Sequence, residues 1–310
     1  MPTAVTRLQD EALSFVIYAP RYRNNSGGAI VMHKFCDVLN SMGCRSSLWP
    51  LWKPSSPLMA LFDSPIRTVS YMASRLYRGA YSTNRKYNTP IADGSDLQDS
   101  VVVYPEIVSG NPLRAKRYIR WLLHEPGFHE GSASYSSGDL YFCYQEAFHK
   151  NCQNMIYGGP LMIADTLLDI YKQTNTGERT EICYMIRKGK NRPDLPDLHE
   201  KRVIDDLDHF ELAKIFNECK TCYFYDTYTA YAQYAAACGC IPVVVPIPGV
   251  TKTQWIPEEV GRFGIAYGED DIEYAIRTRV TLLKFMQEVP NRNFEAARHF
   301  VETVREHFKL

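Results

Sequence analysis

The segment Arg187-Lys188-Gly189-Lys190-Asn191-Arg192 puts four cations directly behind the apolar run 181–186. A strand that ends in cations fixes positive charge at its carboxyl end, where the charge of a diphosphate group can be offset. A second anion signal lies at Asp226-Thr227-Tyr228-Thr229, which halts the apolar run 222–225 with residues suited to capping a helix. The N–H groups of a helix's first turn are free for phosphate. Together the two segments would bracket one pyrophosphate from two sides. Glu106 and His124-Glu125 stand just past two further strand ends and are candidates for base or positioning work. Gly27-Gly28 allow close backbone approach to a ligand, although they fall short of a full dinucleotide fingerprint. Asp206 and Asp208 have the D-x-D spacing of a metal motif. They precede a helical pattern over 210–219, however, so capping and dipole complementarity account for them. Cys219 and Cys222 have zinc or redox spacing without a second pair at ligand distance.

An α/β frame must position these groups. Residues 13–19 are expected as a strand, 20–28 as a loop and 44–49 as the next strand. Between them a helix is expected over 29–42, where Ile30, Val31, Phe35, Val38 and Leu39 recur at helical spacing and Gly43 follows. Strands follow at 100–104, 118–123 and 140–143, with a helix-prone stretch after Pro112. Residues 50–98 carry few clean periods; a helix is expected over 66–77 and a loop over 78–96, either an acceptor-side lid or plain packing. The second half reads as strands at 181–186, 202–204, 222–225 and 241–245. Its helices are 210–219, an alanine-rich one ending at Gly239, and two amphipathic ones, 271–289 and 292–308, parted by Pro290. Alternating strands and helices imply a mostly parallel sheet whose ligands gather at strand carboxyl ends.

The run Ala237-Cys238-Gly239-Cys240-Ile241-Pro242-Val243-Val244 resembles, with one residue inserted, the A-C-G-x-P-V-V segment of GT-B-fold glycosyltransferases of the retaining group 1 or family 4 type. Counting back from it puts Asp226 and Tyr234 at the positions of that family's two donor-binding glutamates. The segments 22–28 (Tyr-Arg-Asn-Asn-Ser-Gly-Gly) and 104–113 (Tyr-Pro-Glu-Ile-Val-Ser-Gly-Asn-Pro-Leu) resemble a divergent branch used in bacterial surface-polysaccharide assembly. The resemblance implies an α/β GT-B fold, two Rossmann-like domains facing an interdomain cleft: residues 1–160 on the acceptor side and 161–291 on the donor side. A last helix over 292–310 crosses back in such folds. It also implies transfer of a sugar from a nucleotide diphosphate-sugar to a saccharide acceptor, with retention and without a catalytic metal or other cofactor. Arg187, Lys188 and Lys190 would hold the diphosphate with Thr227, Tyr228 and Thr229, and Gly27-Gly28 would face donor phosphate or acceptor. Asp226 would orient the sugar, and His124 or Glu106 would line the acceptor side. A tyrosine hydroxyl cannot take both hydrogen bonds of a ribose diol as a carboxylate does, so Gln233 is expected to share that contact with Tyr234.

Length and composition fit this frame. A chain of 310 residues accommodates two domains. Lys plus Arg equal Asp plus Glu at 35 each, which gives no electrostatic case for nucleic acid. No apolar run reaches the roughly 18 residues of a membrane span, and residues 1–7 lack a signal-peptide core, so a cytoplasmic enzyme is expected, with peripheral membrane association open. Nine scattered cysteines read as reduced core residues. Other readings on the same fold are a sugar-nucleotide 2-epimerase, a phosphorylase, or a catalytically silent subunit that binds a sugar nucleotide.

Overall fold

Strands buried on both faces read as unbroken apolar runs, and such runs build the first sheet in the computed structural model, which describes residues 13–24, 26–53, 69, 72, 80–127, 134–149, 152 and 154–310. Its elements are β1 (Ser14–Ala19), α1 (Gly27–Ser41), β2 (Arg45–Pro50), β3 (Val101–Pro105), β4 (Arg117–Leu122), β5 (Leu140–Cys143) and β6 (Ile156–Pro160). All pair in parallel, in the order β2-β1-β3-β4-β5-β6. The chain leaves β1 toward β2 and resumes at β3 on the other side, so the direction of winding reverses between β1 and β3.

The second sheet holds β7 (Glu181–Met185), β8 (Cys219–Phe224), β9 (Ile241–Val244) and β10 (Ala266–Tyr267), again parallel, in the order β10-β9-β8-β7. Helices α2 (His209–Glu218), α3 (Tyr231–Ala237), α4 (Lys252–Trp255) and α5 (Ile272–Gln287) accompany it. The strand expected over 202–204 contracts to a single parallel bridge from Val203 to Tyr184, on the side of β7 away from β8. Here too winding reverses, between β7 and β8. The small residues of α3, Ala232, Ala235, Ala236 and Ala237, are all buried against this sheet's core.

The chain divides into a unit of residues 1–165 with 290–310, and a second of residues 166–289. Two Rossmann-like α/β units in one chain are the composition of the GT-B class. The last helix, α6 (Val289–Phe308), belongs to the first unit: Ala297, Phe300, Val301 and Val304 enter its core. The Phe300 ring lies 5.4 Å from Phe15, 5.0 Å from Phe35 and 4.8 Å from Phe142. Asn293 locks the helix start by donating to Ala164 O at 2.8 Å and accepting from Ala164 N–H at 3.0 Å. No helix among the described residues is long and apolar enough to cross a membrane.

Two expectations change. The stretch after Pro112 forms turns, because the Asn111 side chain captures both the N–H and the carbonyl of Ala115 and so competes with helical bonding. β6 was not expected, since Gly158, Gly159 and Pro160 carry poor strand propensity. A Cβ on Gly158 would sit 2.7 Å from the Phe142 ring, so glycine is what allows the strand to close there. The helix expected over 66–77 lies, apart from Val69 and Met72, outside the described residues.

Truncating the ring shared by Phe15, Phe35 and Phe142 leaves a cavity in the first unit's core. Phe300→Ala is therefore expected to lower unfolding stability by about 3–5 kcal/mol, read by urea denaturation.

Candidate functional site

Among the described residues the second unit concentrates charge at its winding reversal, the place where open α/β sheets bind ligands. β7 runs into a single 3₁₀ turn over Arg187–Gly189. Arg187 adopts φ 41°, a left-handed conformation that costs a non-glycine residue roughly 1–2 kcal/mol. Asp205 holds it there: its carboxylate accepts the Ile186 and Arg187 N–H groups, each at 2.8 Å. The turn also presses on the end of β8, since a Cβ on Gly189 would lie 2.4 Å from the Tyr225 carbonyl oxygen. Only glycine permits that approach.

The approach brings the cations to Asp226, which follows β8. Asp226 is buried, and burial raises its carboxyl above the ordinary range; the nearby Lys188 and Arg187 charges pull it back, as does a hydrogen bond from the Lys188 backbone, while Asp205 pushes it up. The expected helix cap at Asp226 does not form. Helix α3 starts at Tyr231 with Ala230 as its N-cap, and only Thr229 contributes, its hydroxyl accepting the Tyr231 N–H at 3.3 Å. The Thr227 carbonyl accepts from Trp255 Nε1 at 2.7 Å, and Tyr228 is exposed. The physical reason is the five-residue turn from 226 to 230: Asp226 lies too far before the first helical N–H to reach it and spends its carboxylate on the cation turn instead.

The four cations divide by role. Arg192 is committed to the fold, with an ion pair to Asp194 and donations to the carbonyls of Val245 at 3.0 Å and Pro246 at 2.7 Å. Arg187, Lys188 and Lys190 form no salt bridge among the described residues; Lys188 and Lys190 are exposed, and the Arg187 guanidinium lies 4.7 Å over the Tyr231 ring. Tyr231 and Tyr234 belong to an aromatic stack beneath. Tyr234 lies parallel to Tyr171 at 4.4 Å, and the Tyr171 hydroxyl meets His209 Nδ1 at 2.5 Å. Gln233 is half-buried on the same helix. Asp208 is a capping-box residue, accepting the Phe210 and Glu211 N–H groups. Among the described residues no group of three His, Cys, Asp or Glu side chains is placed to hold a metal ion.

In the first unit Gly27, Gly28, Glu106 and His124 also collect at strand carboxyl ends. The buried Glu106 carboxylate accepts the Leu123 N–H at 3.1 Å, and Leu123 lies 3.7 Å from where a Gly28 Cβ would be. His124 stacks on Phe148 at 5.2 Å, and its Nδ1 accepts the Glu125 N–H at 2.8 Å, which leaves the proton of a neutral ring on Nε2. Arg120, fully buried on β4, fixes the loop after Glu106 through the carbonyls of Val108 at 2.8 Å and Gly110 at 2.5 Å and an ion pair to Asp139 at 3.2 Å. Sequence reasoning missed Asp205 and His33. His33 is buried beneath the β1–α1 loop, where Nε2 meets the Pro20 carbonyl at 2.9 Å, and burial lowers its pKa. Its place on the buried face of α1, beside Met32 and Cys36, was the available signal.

No protein-family model matches the chain, and no curated protein sequence does. Solved structures are similar over nearly the whole chain. Sucrose-phosphate synthase from Thermosynechococcus elongatus is 12% identical with a TM-score of 0.41, covering 96% of this chain and 95% of its own. A putative UDP-N-acetylglucosamine 2-epimerase from Listeria monocytogenes is 11% identical at 0.41, covering 97% of each. The β-glucosyltransferase of phage T4 is 9% identical at 0.42, covering 97% of this chain and all of its own. At this distance the chemistry must be read from the site itself.

A buried carboxyl with a raised pKa costs stability once it ionises. Below the ordinary aspartate range the folded and unfolded chains both carry it protonated; as pH rises through the raised value, the folded state loses ground. Asp226→Asn, neutral at every pH, is therefore expected to melt above wild type at neutral pH, with the gap closing on acidification toward pH ~4. Thermal melts across that range measure it, and an Asn variant no more stable at pH 7 would contradict the electrostatic account.

Proposed function

We propose that this protein is a glycosyltransferase that moves a sugar from a nucleotide diphosphate-sugar to a saccharide acceptor. The observation that carries the proposal is the convergence of Arg187, Lys188 and Lys190, none of them in a salt bridge among the described residues, on the winding reversal of the second sheet beside the buried Asp226. Three cations at such a point suit a diphosphate, and departure of a nucleoside diphosphate is the step at which negative charge develops. The held, left-handed Arg187 supplies preorganisation, since its backbone is set before any ligand arrives.

In this reading the cation turn binds the leaving group and Thr227, Tyr228 and Thr229 flank it. Asp226, whose carboxyl is raised, hydrogen-bonds hydroxyls of the transferred sugar. Gln233 and Tyr234 serve the ribose side, Tyr234 through its edge. In the first unit Gly27 and Gly28 offer backbone to the substrate, and Glu106 or His124 acts as base or positioning group for the acceptor hydroxyl. The cations carry the electrostatic work that a divalent metal does elsewhere, so the reaction is metal-independent; retention at the anomeric carbon is our reading for the stereochemistry. The acceptor is a glycan of surface-polysaccharide type, and the enzyme works in the cytoplasm or at its membrane surface.

Arg187→Ala and Lys190→Ala are expected to weaken UDP, GDP or dTDP binding by about 1.5–3 kcal/mol in one or both variants, measured by titration calorimetry. Unchanged affinity in both, with folding intact, would remove the diphosphate site. Asp226→Asn is expected to cut kcat and kcat/KM for the nucleotide sugar far more than affinity for the free nucleotide diphosphate, since the lost bonds form at the transferred sugar. Turnover should persist in EDTA, and donor consumption without acceptor would mark an epimerase instead.

A further inference from the structure

A polar cavity of about 590 Å³ opens at the end of the first sheet opposite the one that carries Gly28 and Glu106. Ser14 stands at the amino end of β1, Arg45, Ser46 and Ser47 at that of β2, and Ser100 just before β3, while Gly43 and Cys44 turn the chain from α1 into β2. The far wall is the segment that runs along the outer edge of β2, where Ile91 bridges Leu48.

The wall is built rather than incidental. Asn40 donates to the carbonyls of Ser46 at 2.9 Å and Asn88 at 2.8 Å and accepts the Ser46 N–H at 2.7 Å. Asp37 accepts the Asn88 N–H at 2.9 Å. The Asp93 carboxylate takes the Ser95 N–H at 2.8 Å, and Asp96 in turn accepts the Asp93 N–H at 2.8 Å. Two charged side chains at the cavity remain unspent. The Ser46 hydroxyl is buried against the Cys36 thiol and the Ser14 and Ser100 hydroxyls bond each other at 2.7 Å, whereas the exposed Arg45 and Asp99 side chains form no salt bridge among the described residues.

The lining selects the class of ligand. Asp96 and Asp99 against Arg45 give no surplus of positive charge, which disfavours phosphate. Metal ions lack the ligand set among the described residues. Serine hydroxyls, asparagine amides and carboxylates in one cavity disfavour an apolar ligand and match a polyol, whose vicinal hydroxyls both donate and accept. Pro90 and the half-exposed Ile91 supply the apolar surface that the C–H face of a sugar ring covers. We propose that this cavity is a saccharide-binding site, separate from the cation turn, that holds a sugar unit of a glycan. The proposal stands independently of the transfer reaction, because it requires binding alone.

Cys44 provides a local reporter. It lines the cavity and is half-exposed, whereas the other eight cysteines are buried, so a maleimide reacts with the native protein at Cys44 first. Burial raises its thiol pKa, so labelling is followed at mildly alkaline pH. Methyl glycosides of glucose, galactose and mannose, N-acetylglucosamine and the corresponding disaccharides are the probes, with inorganic phosphate and UDP as controls. At least one saccharide is expected to slow Cys44 labelling several-fold and saturably, while phosphate and UDP do not. Asp99→Ala and Arg45→Ala, both at exposed positions, should raise the concentration needed for that protection about tenfold and leave the thermal melt unchanged, which verifies folding. Labelling that no saccharide slows, protection by phosphate instead, or protection untouched in both variants would overturn the site. Loss of UDP binding in Arg187→Ala bears on the transfer reading alone.

Discussion

Parallel pairing is the constraint from which the rest follows. Parallel neighbours cannot be joined by a tight hairpin, so each strand must be reached by a crossover. Every strand therefore delivers its carboxyl end to the same edge, and the turns leaving it are free of sheet hydrogen bonds. Where winding reverses, the turns diverge to opposite sides and leave a gap. The first sheet makes that gap between β1 and β3, the second between β7 and β8. Nearly every residue with chemical potential stands at one of these two places: Gly27, Gly28 and Glu106 in the first, Arg187, Lys188 and Asp226 in the second.

The second constraint is electrostatic. Charged groups removed from water require partners, and the molecule uses that requirement to fix loops. Arg120 is enclosed by two carbonyls and Asp139, with the rings of Tyr104, Tyr118 and Tyr135 within 5.3 Å, so the loop bearing Glu106 has one arrangement. Asp205 does the same for Arg187. The segment 104–113 is a scaffold: the Tyr104 hydroxyl donates to Asn111 at 2.8 Å and accepts the Leu113 N–H at 3.1 Å.

What could be read from the sequence was what local chemistry decides. Apolar runs such as 100–104 and 241–245 announced strands, and the alanines and Gly239 announced a short helix and its end. What escaped depends on partners distant in the chain. β6 exists because Phe142 occupies the volume that side chains at Gly158 would need, and no local pattern contains that fact. The start of α3 was misplaced because Asp226 has a better use for its carboxylate against Lys188, thirty-eight residues earlier, than on its own helix. Asp205 stands next to the D-x-D pair in sequence, and only its bonds to Ile186 and Arg187 distinguish it from the capping Asp208.

The placement of Phe300 has a consequence for the order of assembly during synthesis. The first unit begins at the amino end of the chain, yet its core lacks a central ring until α6 has been made, whereas the second unit is fully encoded by residue 289. A ribosome thus releases everything the second unit needs first. The earlier-made sheet waits, with Phe15, Phe35 and Phe142 lacking the Phe300 ring, for residues 290–310. During that interval part of the first unit's core is uncovered, and it is a stage at which a chaperone has apolar surface to hold.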